Sequence, residues 1–236
     1  MKVAVVGAGR MGSLVAQKLA PEVEKLIIDT DPAKAAAVAA QAGGVARSQL
    51  AGAAEADVII LALPAEGIAP SVAALAALAS PRALVLNLAT AADTTQVLAT
   101  ESSHAAGTSG LRVIPVKIIG HAREIAAGVP PLVVVDTPRD DLLGLVQNLL
   151  RGFGPVVRGS ERLVQIANTI ASEEGVKAAL AMQERLKAAG VPEEWVLPAV
   201  QGPGAGTMKA FAAGDMGPFV RALVERLQGR GEHGHS

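Results

Sequence analysis

Met1-Lys2-Val3-Ala4-Val5-Val6-Gly7-Ala8-Gly9-Arg10-Met11-Gly12 opens the chain, an apolar run that stops in a G-x-G-x-x-G motif. Alone, such a motif carries little weight. Here it follows a strand candidate, Lys2–Val6, and leads into Arg10–Ala20, a segment with few β-branched residues that reads as a helix. Each glycine then has a physical task. Gly7 makes the tight turn, Gly9 lets the backbone approach a pyrophosphate, and Gly12 lets helix and strand pack closely. The free N–H groups at the helix N-terminus complete the anion site, with Ala8, Arg10 and Met11 as the other contacting positions. Asp29 closes the second strand candidate, about twenty residues after the glycines, where an acidic residue holds the adenosine ribose hydroxyls. A carboxylate there repels the 2′-phosphate of NADP, so the expected cofactor is NAD, with NADP the less favoured. Asp31 has another task, as N-cap before Pro32 at the first helical position. Lys34 lies close enough to leave room for some NADP binding.

Working outward, strand candidates recur at Lys25–Asp29, Asp57–Leu63, Ala83–Leu88, Leu111–Val116 and Leu132–Asp136, with helix formers at Pro32–Ala42 and Pro70–Leu78. This alternation predicts an α/β fold, a doubly wound, mainly parallel Rossmann sheet with helices on both faces. The near-continuous apolar strands fit a sheet covered on both sides. Ligands of such sheets sit at the carboxyl ends of the strands. The loops after the third and fourth candidates, with Leu63, Pro64, Asn87 and Ala89, are therefore expected to line the nicotinamide half. Pro64 serves equally well as a strand terminator, whereas Asn87 interrupts an apolar run.

From Ser160 the pattern changes. Ser160–Ala189 contains no Pro and reads as one helix about 45 Å long at 1.5 Å per residue, with Gly175 as a weak point. Shorter helices are expected at Glu193–Val200, Thr207–Gly214 and Pro218–Leu227. The reading is a dinucleotide-binding domain over residues 1–157, linked through the Gly152–Gly159 region to a small all-helical domain over 158–236. The polar, Gly-rich tail from about Gly229 is expected to be disordered.

Composition narrows the function classes. The 236 residues are 50% hydrophobic with a net charge of −1, enough for a core and no excess charge for a phosphate backbone. With three Phe, one Trp and no Tyr there is no base-stacking platform either, so nucleic acid is not an expected partner. Cysteine is absent, which fits a reducing compartment. The longest apolar stretches, such as Val58 to Leu63, are too short to span a bilayer. The chain opens directly on a strand, so no signal peptide is expected and a cytoplasmic location is. His233 and His235 have metal-pair spacing, but in a floppy tail they make a poor site, and no metal is expected.

The opening Gly-Ala-Gly-Arg-Met-Gly-Ser-Leu resembles one branch of Rossmann oxidoreductases related to 6-phosphogluconate dehydrogenase. That branch includes pyrroline-5-carboxylate reductases, deazaflavin-dependent NADP oxidoreductases and β-hydroxyacid dehydrogenases. Ala83–Ala92 is similar to the strand and loop leading to the reductase nicotinamide site. The resemblance implies a homodimer paired through the C-terminal helices, the partner helping to close the substrate cleft. It also implies a catalytic Lys on the long helix, three residues before an Asn. Here Gln165 stands at the Lys position and Asn168 is retained, and Gln cannot deliver a proton. Lys117 is a substitute acid or base, near where the family has a substrate-binding serine; a Lys snorkelling from a strand end is the other reading. His121 is a further proton donor or a helix-start surface residue.

Three functions are consistent with these residues. The first is hydride transfer between a nicotinamide and a small C=O or C=N substrate. The second is a non-catalytic sensor or scaffold of the dinucleotide. The third is nicotinamide–deazaflavin hydride exchange.

Overall fold

The computed structural model describes residues 1–78, 83–98 and 111–229. The chain divides into two compact units, Met1–Thr169 and Ile170–Ser236. In the first, eight strands form one sheet: β1 (Lys2–Val6), β2 (Glu24–Ile28), β3 (Val45–Arg47), β4 (Val58–Leu61), β5 (Leu84–Asn87), β6 (Arg112–Ile119), β7 (Leu132–Val135) and β8 (Val156–Arg158). Their order is β3-β2-β1-β4-β5-β6-β7-β8. Strands β1 to β6 are mutually parallel, β7 runs antiparallel to β6, and β8 is parallel to β7. This is the expected doubly wound Rossmann sheet, with its direction reversed only at the far edge.

The two-residue alternation of strand side chains builds a core on each face. Val3 and Val5 of β1 join Val15 and Ala16 of helix α1 (Arg10–Lys18), Val38 of α2 (Pro32–Ala42) and Val146 of α5 (Asp140–Leu149). Ala4 and Val6 point the other way, toward Ile68, Val72 and Leu75 of α3 (Ala65–Leu78). The short helix α4 (Ala122–Ala126) follows β6.

Several expected boundaries move. Strands β3 and β8 were not among the sequence candidates. Each has three residues, at least partly exposed, so neither shows as an apolar run. Helix α3 starts at Ala65, and Pro70 lies inside it rather than at its head. The Gly152–Gly159 region is no loose linker. It holds β8, and a Cβ at Gly154 would lie 2.3 Å from the Pro131 carbonyl oxygen. The long helix α6 (Glu161–Ala188) is unbroken at Gly175, and the division between units falls within it, at Thr169–Ile170, rather than ahead of it.

The second unit holds the end of α6, then α7 (Glu193–Ala199), a wide turn Val200–Gly204, α8 (Ala205–Ala213) and α9 (Pro218–Gly229). Gly190 (φ +77°) and Gly214 (φ +71°) are left-handed and end α6 and α8, as glycine alone does without strain. The tail expected to be disordered lies, from residue 230 on, outside the described residues, together with His233 and His235; so does His104.

Candidate functional site

The glycine loop leaves the carboxyl end of β1 with Gly7 at φ +102°. A Cβ on Gly7 would lie 2.5 Å from the Ala62 carbonyl oxygen, and one on Gly12 only 1.8 Å from the Gly7 carbonyl oxygen. Both glycines are fixed by the packing of loop, helix and β4. Gly9 is different: a Cβ there would meet nothing within 4 Å. Nothing in the fold requires glycine for space at position 9, while the first-turn N–H groups of α1 lack intrahelical acceptors. The loop is therefore tight on the side of the sheet and open on the side where a pyrophosphate would approach.

Asp29, just past β2, braces this loop. One carboxylate oxygen accepts from the Ala8 backbone N–H at 2.7 Å and the other from the Asp31 N–H at 2.9 Å. A carboxylate has about four lone-pair sites, so two bonds leave capacity for ribose hydroxyls. A cavity of about 240 Å³ opens here, lined by Gly7, Ile28, Asp29, Ser48, Leu50 and Leu63 among others. Its walls are the carboxyl ends of β1 and β2 and the chain just past β3, closed on the β4 side by Leu63 and by Ser71 of α3. Leu63, expected at the nicotinamide half, thus borders the cavity beside Asp29, where the adenosine half of a dinucleotide is expected. Asp31 caps α2, its side chain accepting from the N–H groups of Ala33 and Lys34 at 3.0 and 3.2 Å. The Lys34 ammonium lies 3.4 Å from the Asp31 carboxylate.

Sequence reasoning missed Arg47 and Ser48. The Arg47 carbonyl accepts from the Asp29 N–H at 3.3 Å, so the end of β3 adjoins the adenosine cavity. The signal was absent because β3 is too short to show as a strand.

On the other side of β1, the loops after β4 and β5 lie at the carboxyl ends of those strands, where the nicotinamide half is expected. Leu63 is partly buried and Pro64 exposed. Asn87 is fully buried and bonds the loop that follows it: its side-chain oxygen accepts from the Ala89 N–H at 3.0 Å. Its amide donates to the Ala92 carbonyl at 3.3 Å and to Thr94 Oγ1 at 2.9 Å.

The structure brings Lys117 and Asn87 together but not into an open cleft. Lys117 is fully buried. Its Nζ donates to the carbonyls of Ala89 (2.6 Å) and Ala92 (2.9 Å) and lies 3.4 Å from a Glu161 carboxylate oxygen. The ammonium is directed at two backbone carbonyls and a carboxylate inside the protein. Burial lowers its pKa from the ordinary lysine value, and the Glu161 carboxylate opposes that shift. Asn168 donates to the Ile118 carbonyl at 2.9 Å, tying α6 to β6. Gln165 is partly buried on the same helix. His121 is exposed at the N-cap of α4, and its imidazole has no hydrogen bond to the described residues. Sequence reasoning also missed Thr94 and Glu161, whose partners lie far away in the chain. Among the described residues no group of three metal-ligating side chains occurs, and no helix is long and apolar enough to cross a membrane.

Residues 2–90 match the family described as NADP oxidoreductase, coenzyme F420-dependent. No curated protein matches the sequence. Solved structures similar to this chain include a pyrroline-5-carboxylate reductase from Coxiella burnetii, at TM-score 0.66 and 16% identity, covering 95% of this chain and 84% of that one. A 3-hydroxyisobutyrate dehydrogenase from Salmonella typhimurium aligns at TM-score 0.66 and 19% identity over 97% of this chain and 88% of that one. An imine reductase variant from Myxococcus stipitatus, in complex with NAD+, aligns at 0.59 and 16% over 97% and 77%. The branch of Rossmann oxidoreductases that the opening sequence resembles is the one these comparisons return.

Proposed function

We propose that the protein is an NAD-linked oxidoreductase that moves a hydride between the nicotinamide and a small C=O or C=N substrate. The observation that carries this reading is the glycine loop, closed against the sheet at Gly7 and Gly12 and open at Gly9. When bound, the nicotinamide supplies the hydride chemistry. The chain's part is to bind and orient. The first turn of α1 receives the pyrophosphate, Asp29 the ribose hydroxyls, and the loops carrying Leu63, Pro64, Asn87 and Ala89 the nicotinamide end.

Reduction of a C=O or C=N bond also takes up a proton. We assign it to His121, whose unpartnered imidazole stands beyond the carboxyl end of β6, on the ligand side of the sheet. Lys117 and Asn168, bonded to backbone carbonyls, hold structure in this reading. Once a substrate is in hand, His121→Ala should lower turnover at least tenfold, about 1.4 kcal/mol of barrier. Unchanged turnover would remove His121 from the mechanism.

Titration calorimetry tests the cofactor. NADH should bind at least tenfold tighter than NADPH, because the Asp29 carboxylate repels a 2′-phosphate. Asp29→Asn should narrow that ratio toward one by removing the charge. Tighter NADPH binding would overturn the NAD preference, and binding of neither would overturn the reading as a whole.

Hydride exchange with a deazaflavin is a second reading, favoured by the family description that matches residues 2–90. It needs no proton donor at His121, and turnover of a deazaflavin with NADH or NADPH in the absence of other substrates would establish it. The bonding of Lys117 and Asn168 to carbonyls favours a third, a protein that senses or scaffolds the dinucleotide without turnover. NADH binding with no reaction in a screen of keto acids, imines and deazaflavins would mark it.

The protein in this reading is a homodimer joined through residues 170–229. Val196 is the one buried residue described in that stretch, while Leu180, Trp195, Met208, Phe211 and Phe219 are each more than half exposed. A lack of cysteine is compatible with work in the cytoplasm.

A further inference from the structure

Five polar side chains are buried among the described residues, and four of them, Asn87, Thr94, Lys117 and Glu161, form one connected group. Its origin lies in the register of two strands. β5 ends at Asn87, opposite Pro115, whereas β6 runs on to Ile119. Alternation along β6 places Ile114, Val116 and Ile118 in the core on the α1 face, and Val113 in the core on the α3 face. Lys117 shares the face of Val113, two residues beyond the last pairing with β5. There the chain after β5 has left the ladder, and its carbonyls lack strand partners.

The Lys117 ammonium donates to both turn carbonyls, Ala89 at 2.6 Å and Ala92 at 2.9 Å, joining the Ala92 N–H on the first and the Asn87 amide on the second. Glu161 grips the same loop from the head of α6. Its two oxygens accept from the Thr94 N–H at 3.1 and 3.3 Å, and one accepts from the Thr94 hydroxyl at 2.9 Å. Glu161 is itself held by its N–H, which donates to Asp136 at 2.9 Å. No buried side-chain polar atom among the described residues lacks a partner. A buried ion pair of this kind is weak evidence for stability, since hydrophobic residues of similar volume often serve as well. What it provides that they cannot is one defined set of backbone positions for residues 88–94.

We infer that Lys117 and Glu161 are positioning residues that set the loop after β5 in the form that receives the nicotinamide half of the cofactor. The inference rests on the dinucleotide reading above. The adenosine cavity is centred on the ends of β1, β2 and β3 and stops at Leu63, just past β4, so the nicotinamide extends the other way, beyond β4 to the carboxyl end of β5. The loop tied by Lys117 is the one at that end of β5. Lys117 thus acts on the cofactor through Ala89 and Ala92 without touching it.

The experiment compares NADH with ADP-ribose, which keeps the adenosine and pyrophosphate but lacks the nicotinamide. The neutralised pair Lys117→Met/Glu161→Gln avoids stranding one buried charge. It should bind ADP-ribose within twofold of the unsubstituted protein and bind NADH at least tenfold more weakly, with loss of the fluorescence change of the reduced nicotinamide. Thr94→Val, which removes one hydroxyl, should show the same selective loss in smaller degree, and Thr94→Ser should restore it. This second pair decides the matter if the double variant does not fold. Equal weakening of both ligands, or of neither, would overturn the positioning role while leaving the dinucleotide reading intact. Failure of the unsubstituted protein to bind either ligand would instead sink the dinucleotide reading, and this inference with it.

Discussion

Gly9→Val should fold as the parent does and lose NADH binding at least a hundredfold, about 2.7 kcal/mol, whereas Gly12→Ala should lose the fold of the loop along with the ligand. The contrast follows from what each added carbon meets. At Gly12 a Cβ falls 1.8 Å from the Gly7 carbonyl oxygen, a backbone atom that cannot swing away. α1 must back off from β1, where Val15 and Ala16 are fully buried against the sheet. Overpacking of this kind costs about 1–3 kcal/mol in a deformable core and more against rigid backbone. At Gly9 a Cβ meets nothing within 4 Å, so the backbone there accepts a side chain and a valine is expected to leave the free protein folded. It fills the space a pyrophosphate needs and pushes the anion away from the N–H groups of α1. Thermal melts by circular dichroism, paired with calorimetry, separate the two effects. A Gly9→Val protein that binds NADH normally would show that the open side of the loop is not the cofactor side.

Light scattering at micromolar concentration should give twice the 23.8 kDa chain mass. The second unit supplies the reason. Phe219 is 79% exposed and Trp195 62%, in a stretch with a single buried residue. A cavity of about 860 Å³ lined by Met182, Leu186, Phe219 and Leu223 adds to that apolar surface. Helices whose apolar sides face water find little stability alone. In a two-fold dimer each side chain is counted twice, so replacing one buried Phe or Trp by Asp loses roughly 4 kcal/mol, about a thousandfold in dimer Kd. Phe219→Asp and Trp195→Asp together should therefore give monomer, and the melting temperature should become less dependent on protein concentration. An unsubstituted protein that elutes as monomer with its helix content intact would refute the interface.

Much of the first unit was legible because its chemistry is local. The run Lys2–Gly12 encodes strand, turn and helix start within a dozen residues, and Asp31 with Pro32 announces the head of α2, where the cap is found. The outlying strands were not legible. Val45–Arg47 and Val156–Arg158 are edge additions three residues long, held by backbone bonds to a neighbouring strand rather than by an apolar pattern of their own. Neither reading of Lys117, as an acid or base or as a Lys snorkelling from a strand end, could draw on where its ammonium ends. That depends on β6 outrunning β5 and on Glu161, far along the chain at the head of α6. A single sequence gives no sign of such a pairing. Asn87 left a trace, as the lone polar residue in an apolar run, but its role in fixing the next loop became visible only with its partners in place.

The double engagement of Asp29 bears on how such a protein could change its cofactor. The carboxylate proposed to hold the ribose also accepts the Ala8 N–H at 2.7 Å, within the glycine loop. On that proposal, selectivity and loop order share one side chain and cannot be varied separately. Replacement by Ala or Gly, a simple step toward admitting a 2′-phosphate, also removes the acceptor that Ala8 needs. Redesign or evolutionary drift toward NADP has a narrow passage: through Asn, which keeps an oxygen for Ala8 while giving up the charge. A cation recruited afterwards would complete the conversion without the loop ever coming undone.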